Sequence, residues 1–578
     1  MSQKKIKRLR KDAFVGEVKR PLGKVLGVRQ IIRNNWRFLL LLLFGVVAIY
    51  FNGMHGDFVS DDYATIPQNQ EILSFKNALT NLAPGLSNWW VATVFGVESS
   101  IPFHIFSLLL YLIVCVLVFI FVYVILDKRT AIFTTILFAV LPIHVEGVSW
   151  ISGKPYLFNS LTVLLSLILF VLYFKTGVKK YLWTFLFSLV LAFFGERVRS
   201  LSLVLLLPLV IFVFQDEFKF KIDLKKILLL CGLGGMFLAV ILWPKIQNRI
   251  VSVNSGYNGS EGIFYNPTFQ YPTAISKYLQ LTWLPTDLTL YHTMYVVPVW
   301  LNWLILLTYL TMLGWFLFKD RKMFFALAFI FLAAAPSMAP VKVSWLVAER
   351  YMFLGSLGFS IFLVFAFQKL EKKFKKLALI LFVFLVLVYS FRVFLRNIDW
   401  QTNHKLWVNT CQVSPNSHNA WNNIGDDYDK LAQGETTDQG KIEQYMNAIK
   451  GFTQSTVVKL NYADAYHNRA NIFYKIGRLD LARDSYETAI SYGPSLYQTY
   501  FSLIQIDLTE RKYDLALDHL NKLNQVKPND PQVAYVAAVV YMNIGKKDEA
   551  IAILQQLVKT IPDFVNAKAL LTQLTSEQ

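Results

Sequence analysis

The sequence predicts an all-α protein in which a polytopic bundle of membrane helices is followed by a C-terminal solenoid of helical repeats. Composition is the first reason, because 55% of the 578 residues are hydrophobic and only 16% are charged, as in multi-span membrane proteins. The second reason is a change near residue 400, where the composition becomes that of a soluble domain and a regular repeat begins. Three widely separated cysteines predict neither a disulfide framework nor a cysteine metal site.

Residues 1–37 form a strongly basic arm in front of the first apolar run. The positive-inside rule places such an arm in the cytoplasm, beside anionic lipid. The apolar run at 38–51 lacks a small-residue cleavage pattern, so we expect it to be the first membrane helix and not a signal peptide. The net charge of +19 therefore reflects membrane topology and does not indicate nucleic-acid binding.

Residues 38–397 are predicted to form a transmembrane domain of about eleven spans. Lysines and arginines cluster on alternate connections, which predicts that those connections are cytoplasmic. The opposite connections, including the loop at 52–100, then lie outside the cytoplasm, as do residues 400–578. The apolar segments are 38–51, 102–126, 131–147, 156–174, 181–195, 198–215, 226–244, 299–318, 323–339, 345–367 and 375–396.

The loop at 52–100 carries an acidic pair, Asp61 and Asp62, shortly after the first apolar run. Ionised carboxylates inside hydrocarbon are costly, so this pair is expected where water or a polar substrate reaches it. We predict that Asp61 and Asp62 form the floor of an active site. The alternative is an ordinary turn in which Asp62 caps the next helix.

Further polar residues are predicted on the same side of the membrane. Transfer of a sugar from a lipid phosphate needs a carboxylate base for the acceptor hydroxyl and cations for the leaving phosphate. Arginine suits the phosphate because its planar fork binds in a bidentate manner. Arg350 has a structural alternative, an ion pair with Glu349 or another buried acid. The candidates for binding the donor phosphate or the substrate are His144, Glu146, Lys154, Glu196, Arg197, Arg199, Glu349 and Arg350.

His144 and Glu146 form a His-x-Glu pair, which is weak evidence for a metal site because no second histidine cluster accompanies it. A polar role in the same cavity as Asp61 is favoured. No metal ligand is therefore assigned, and participation of a divalent metal is left open.

The region at 400–578 contains a repeat with a period of 34 residues, seen in the spacing of Ala448, Ala482, Ala516 and Ala550. This period is typical of tetratricopeptide repeats, in which small residues let two helices pack closely. About four repeats are predicted, with an insertion around residues 434–440. Asn423 and Asn468 occupy matching positions on inner helices and are candidate ligands for an extended peptide backbone. The alternative is that both are merely solvated.

Three motifs, in this order and followed by the repeats, carry a resemblance to a known family. They are FVSDDY at 58–63, PIHVEGV at 142–148 and AERYMFL at 348–354. The chain resembles the transmembrane and tetratricopeptide-repeat O-mannosyltransferases and their bacterial relatives. More distantly, its membrane part is similar to protein O-mannosyltransferases of the GT-C class. The resemblance covers nearly the whole chain beyond the basic arm.

The resemblance implies inverting transfer of mannose, or a related sugar, from a polyprenyl-phosphate donor to an acceptor hydroxyl. Asp61 corresponds to the base, with Asp62 as its neighbour, and the His144/Glu146 and Glu349/Arg350 pairs carry over. Two departures stand out. A Gly-Arg-x-acid motif of many relatives is Gly-Lys-Pro-Tyr at 153–156, without the acid, and a Lys-Glu pair is Gly-Glu at 195–196, without the lysine.

Two other functions stay open, namely transfer to a lipid-linked or cell-wall glycan and a non-catalytic role as a membrane-anchored repeat scaffold. The expected partners are a lipid-linked sugar donor, membrane lipids and an acceptor protein bound through the repeats, without nucleic acid. No cofactor is assigned, since the polyprenyl-phosphate sugar is a substrate. The expected location is the plasma membrane, or the endoplasmic reticulum membrane in a eukaryote, with a cytoplasmic N-terminus and extracytoplasmic repeats.

Overall fold

The computed structural model describes residues 26–196, 199–220, 223–256, 266–338 and 345–576, and all regular secondary structure in these ranges is helical. The predicted all-α fold class is therefore confirmed. The described residues form two compact units. The second unit consists of residues 291–294 and 403–576, and the first contains the rest.

The first unit contains the long apolar helices together with several short helices in the connections. Its helices are α1 Val28–Tyr50, α2 Asp62–Thr65, α3 Phe75–Ala78, α4 Leu82–Phe95, α5 Ile101–Ile125, α6 Lys128–Ala139, α7 Val145–Ser149, α8 Lys154–Thr176, α9 Lys179–Glu196, α10 Ser202–Phe214, α11 Leu224–Gly256, α12 Pro267–Trp283, α13 Val299–Lys319, α14 Arg321–Ala334, α15 Ser356–Glu371 and α16 Lys375–Asp399.

Seven helical segments in the described ranges are long and apolar enough to cross a membrane. An eighth is possible where α6 and the segment Pro142–Ser149 are bent by 59° relative to each other, since proline cannot continue the hydrogen-bond ladder of a helix. The seven segments are Val28–Gly53, Ile101–Ile125, Ile151–Thr176, Arg199–Glu217, Val299–Lys319, Arg321–Met338 and Lys375–Asp399.

This number is lower than the predicted count of about eleven. The segment at 345–367 shows one reason, because the chain forms a 3-10 turn at Glu349–Met352 and begins α15 only at Ser356. The turn carries the fully buried Glu349 and the partly buried Arg350 where an uninterrupted apolar helix was expected. The segments at 181–195 and 226–244 lie in α9 and α11. A total of about eleven spans stays a prediction.

Burial separates the central helices from the peripheral ones. In the most apolar part of α5, 67% of the residues are buried, whereas only 17% are buried in α13 and 22% in α16. The outward side chains of α13 and α16 are mainly large apolar residues, which suit contact with lipid tails. The start of α8 lies beside α5 and α7 in the buried centre, and it positions much of the candidate site.

The second unit consists of helix pairs that match the predicted tetratricopeptide repeats. The four periodic alanines, at 448, 482, 516 and 550, are fully buried. A Cβ atom on Gly425 would lie 2.7 Å from the ring of Phe452, so the first pair packs closely there. The helices are α17 Asn403–Val413, α18 His418–Gly434, α19 Asp438–Val458, α20 Ala463–Lys475, α21 Leu479–Tyr492, α22 Tyr497–Thr509, α23 Tyr513–Val526, α24 Pro531–Asn543, α25 Lys547–Thr560 and α26 Val565–Ser576.

Candidate functional site

The two members of the acidic pair have different surroundings in the connection between α1 and α5. Asp62 is fully buried. Its carboxylate accepts hydrogen bonds from the backbone N–H of Val59 at 3.2 Å and from the backbone N–H and hydroxyl of Ser152 at 2.8 and 2.5 Å. Ser60, between them, adopts a left-handed backbone (φ 53°), which is uncommon for a residue with a side chain. Asp62 is therefore firmly anchored.

Asp61, in contrast, is exposed. Its backbone carbonyl accepts hydrogen bonds from the N–H and the hydroxyl of Thr65 at 3.1 and 3.0 Å, which orients the residue. Asp61 is the N-cap residue of α2 but its side chain makes no capping hydrogen bond. The alternative turn in which Asp62 caps the helix is therefore not formed. The arrangement leaves the Asp61 carboxylate facing solvent beside a rigid neighbour.

Lys154 is the cation near Asp62, and its side chain is buried. Its ammonium donates a hydrogen bond to Oδ1 of Asn88 at 2.5 Å and lies 5.3 Å from the centre of the Phe103 ring. Burial raises the pKa of Asp62 to about 6, although the hydrogen bonds of Ser152 and Val59 and the charge of Lys154 oppose this rise. A positive charge at Lys154 thus helps to keep Asp62 ionised at neutral pH.

Asp62 is expected to lower the stability of the protein as the pH rises from about 4 to about 6. Its pKa is raised by folding from 3.8 to about 6, so in this range the native state binds a proton that the unfolded chain has released. The stabilisation is complete below the unfolded-state pKa of 3.8 and is lost as the pH rises through the folded-state pKa of about 6. The melting temperature of the protein in lipid nanodiscs should therefore fall as the pH is raised from about 4 to about 6.

Asp62→Asn should remove this component of the pH profile, whereas Asp57→Asn, at an exposed site in the same loop, should keep it. Equal profiles for the wild type and Asp62→Asn would contradict the assignment.

Two buried ion pairs join segments that are far apart in the sequence. Glu146 is fully buried, and its carboxylate accepts hydrogen bonds from the guanidinium of Arg350 and from the Arg350 backbone N–H, the latter at 2.7 Å. Glu349 accepts a hydrogen bond from Arg396 at 3.1 Å, and both side chains are fully buried. Arg350 thus pairs with Glu146 and not with its sequence neighbour Glu349.

Arg396 was missed in the sequence analysis. It ends the last apolar segment, and it also contacts Asp399 at 3.0 Å. An arginine at such a place in an apolar segment is costly without an acidic partner, and this signal alone would have marked it as part of a buried pair.

His144 is fully buried with both ring nitrogens in use. Nδ1 is 2.9 Å from the Tyr111 hydroxyl, Nε2 is 2.7 Å from the Ser356 hydroxyl, and the ring packs between Phe138 and Phe353. In this arrangement His144 orients its neighbours, and binding of substrate through its ring would require one of these contacts to break. Substrate binding by His144 remains a prediction that the structure does not test.

Arg199 and Arg350 line one narrow pocket with a volume of about 10 Å³, which is enough for one water molecule. The guanidinium of Arg199 lies 4.3 Å from the centre of the Tyr156 ring and donates to the Tyr156 hydroxyl at 3.2 Å. Arginine suits a phosphate because its planar fork can donate two parallel hydrogen bonds. One N–H of Arg350 already binds Glu146 and one of Arg199 binds Tyr156, so binding of a phosphate here requires the pocket to widen. The other lining residues are Asn159, Ser160, Ala333, Pro336, Ser337, Tyr351, Phe353 and Leu354.

The first turns of α8 connect this pocket with the acidic pair. Ser152 binds Asp62 just before α8 begins at Lys154, and Tyr156 lines the pocket four residues after Ser152. Four residues correspond to about one helical turn of 5.4 Å. Asp62 and Arg199 therefore both contact one short stretch of chain, from Ser152 to Tyr156.

The other predicted site residues are less informative. Arg197 lies outside the described residues, and so does the side chain of Glu196, although Glu196 ends α9. Within the described ranges, no three His, Cys, Asp or Glu side chains are grouped as a metal site requires.

The two predicted peptide ligands differ in their surroundings in the second unit. The Asn423 side chain donates to the Tyr291 hydroxyl at 3.3 Å. The Asn468 side chain donates to Oδ1 of Asn422 at 3.2 Å and to Oδ1 of Asp426 at 3.3 Å. Asn468 and Asp426 line a polar cavity of about 210 Å³. Its other lining residues are Asp429, Phe452, Asn471, Tyr474, Lys475, Tyr486, Ser502 and Gln505.

Comparison with known proteins supports the repeats and the resemblance. Sequence models of the tetratricopeptide repeat match residues 463–495 and 507–574. The chain is 23% identical over 605 aligned positions to the protein O-mannosyl-transferase TMTC3 of Homo sapiens, and likewise to that of Mus musculus. Each alignment covers 92% of this chain and 61% of the relative. The chain thus spans about three-fifths of the length of these relatives.

Solved structures also resemble parts of the chain. The structure of YrrB, described as a TPR protein with an unusual peptide-binding site, is 17% identical and covers 35% of this chain and 96% of its own, with a TM-score of 0.24. The structure of the MamA protein is 18% identical and covers 27% of this chain and 80% of its own, also with a TM-score of 0.24.

Proposed function

We propose that this chain, which resembles the transmembrane and tetratricopeptide-repeat O-mannosyltransferases over 92% of its length, is an integral membrane glycosyltransferase. It transfers a sugar, with mannose as the first candidate, from a polyprenyl phosphate to a hydroxyl group of a protein. The configuration at the anomeric carbon inverts. The observation that carries the proposal is the exposed carboxylate of Asp61 on a rigid support that continues, through the start of α8, into the pocket of Arg199 and Arg350.

The reaction is a single displacement. The Asp61 carboxylate accepts the proton of the acceptor hydroxyl, whose oxygen attacks the anomeric carbon of the sugar. A new carbon–oxygen bond forms as the bond between the anomeric carbon and the phosphate oxygen breaks, and the configuration inverts. The polyprenyl phosphate leaves with an additional negative charge, which Arg199 and Arg350 stabilise.

Asp62 and Lys154 act as positioning residues in this proposal. Asp62 is bound by Val59 and Ser152, so it fixes the backbone from which Asp61 projects. Lys154 stabilises the negative charge of Asp62. Both roles depend on a fixed geometry, because a catalytic base needs to stand within hydrogen-bond reach of the hydroxyl that it activates.

A transfer assay tests the proposal. The full-length protein in lipid nanodiscs is offered polyprenyl-phosphate mannose and a pool of acceptor proteins, and the products are analysed for O-linked mannose and for its anomeric configuration. Transfer with inversion to protein hydroxyls is the expected result. Transfer to a lipid-linked glycan alone would move the acceptor to the glycan class, and binding without any transfer would favour a scaffold.

The repeats are proposed to bind the acceptor protein through the polar cavity around Asn468. Asn468→Ala removes one amide from this cavity, and a single hydrogen bond contributes about 0.5–1.5 kcal/mol. The KM for a protein acceptor is therefore expected to rise about two- to tenfold, with little change in kcat.

Asn543→Ala is the matched control, since Asn543 bonds to the carbonyl of Val539 within its own helix at 2.8 Å and does not line this cavity. A KM that rises equally in both variants, or in neither, would contradict the proposed binding surface.

A further inference from the structure

The pocket of Arg199 and Arg350 contains one side chain that a phosphate alone does not explain. Asn159 is 6% exposed, and its Oδ1 atom has no hydrogen-bond partner among the described residues. Its neighbours on α8 differ, because the hydroxyl of Ser160 donates to the Tyr156 carbonyl at 2.8 Å and that of Thr162 to the Phe158 carbonyl at 2.9 Å. The carboxamide oxygen is thus a buried acceptor at the pocket wall.

Buried acceptors without a donor are costly, so a ligand that supplies the donor explains why this one is present. Arginine side chains are donors only and bind an anion, whereas a carboxamide oxygen needs an N–H or O–H group. A polyprenyl chain has no such group, and the phosphodiester of a polyprenyl-phosphate sugar has no O–H when it is ionised. The hydroxyls of the sugar are the donors that this ligand has.

We infer that Asn159 binds a hydroxyl of the donor sugar and is a specificity-determining residue, an inference that rests on the proposed function. Tyr156 and Asn159 are three residues apart and therefore lie on one face of α8. Tyr156 also carries the guanidinium of Arg199 on its ring. Once the pocket widens to admit the donor, phosphate and sugar meet adjacent positions of one helix, with the anion on the arginines and a hydroxyl on the carboxamide.

The test uses a panel of polyprenyl-phosphate mannoses that each lack one hydroxyl, with the full-length protein in nanodiscs. Donor affinity is measured by thermal stabilisation, and transfer to a protein acceptor is measured in parallel. The wild type is expected to bind one deoxy donor about 10- to 100-fold more weakly than the complete donor, because the missing hydroxyl leaves the amide unpaired. Asn159→Ala should reduce this ratio to within about threefold.

Thr162→Val is the matched control, because Thr162 lies one turn away, does not line the pocket and already uses its hydroxyl within α8. This variant should keep the full ratio. Asn159→Leu, which is close to asparagine in size, serves as a second variant and should behave like Asn159→Ala. The melting temperature of each variant without donor shows that the fold is intact.

The outcomes separate the two proposals. If the wild type binds no polyprenyl-phosphate mannose, the proposed function fails and this inference fails with it. If the wild type binds the donor but discriminates against no deoxy donor, or if both Asn159 variants keep the wild-type ratio, only the role of Asn159 is overturned. Loss of the ratio in Thr162→Val as well would also overturn it.

Discussion

Asp61→Asn is expected to lower the rate of sugar transfer by about 10²–10⁴-fold, the usual contribution of a general base. Asparagine has almost the same shape as aspartate but does not accept the proton of the attacking hydroxyl at neutral pH. The Asp61 side chain is exposed and makes no capping hydrogen bond, so the substitution should leave the melting temperature and the KM for the donor nearly unchanged. Turnover with saturating donor and acceptor is the measurement.

Asp57→Asn is the matched control for this prediction, because Asp57 is also exposed and lies four residues earlier in the same loop. This variant should retain transfer within about threefold of the wild type. Asp62→Asn should lose transfer and also change stability, since Asp62 is buried and binds Val59 and Ser152. Full activity of Asp61→Asn would show that another group is the base.

The sequence predicts the architecture of this protein more completely than it predicts the candidate site. A high apolar fraction can be read from a single segment, and the 34-residue period can be read from the spacing of four alanines. Neither requires knowledge of the folded chain, so they predicted both the membrane helices and the repeats. The span count was less accessible, because a hydropathy pattern does not reveal the bend at Pro142 or the 3-10 turn at Glu349–Met352. The bend follows from a proline that a hydropathy average ignores, and the turn depends on the burial of its charged residues.

Residue types in the site were predictable, but their partners were not. The sequence marked Glu146 and Arg350 as polar residues in short motifs, yet the two are separated by 204 positions and only the folded chain shows that they pair. The sequence did not mark Ser152 or Asn159 as site residues, because serine and asparagine are common near the start of a helix. Their roles depend on the residues that surround them in the folded chain. The different surroundings of Asp61 and Asp62 also depend on the folded chain and could not be predicted from the sequence.

The Glu146–Arg350 pair combines a structural and a functional role, and these two roles can be separated by experiment. Glu146→Ala is expected to destabilise the protein by about 3–5 kcal/mol, because Arg350 is left as an uncompensated charge in a buried site. A double variant, Glu146→Leu with Arg350→Met, removes both charges and should recover much of this stability. Transfer should nevertheless stay low in the double variant, since one of the two cations that bind the leaving phosphate is missing.

Conservative variants of the two arginines complete this test. Arg350→Lys keeps the charge but loses the planar fork that binds a phosphate in a bidentate manner, so kcat should fall about 10–100-fold. Arg396→Lys makes the same change in the buried pair with Glu349, and Arg396 does not line the pocket of Arg199 and Arg350. It should therefore lower the melting temperature with little effect on kcat. Equal losses of kcat in both variants at matched stability would show that Arg350 acts on the fold and not on the donor phosphate.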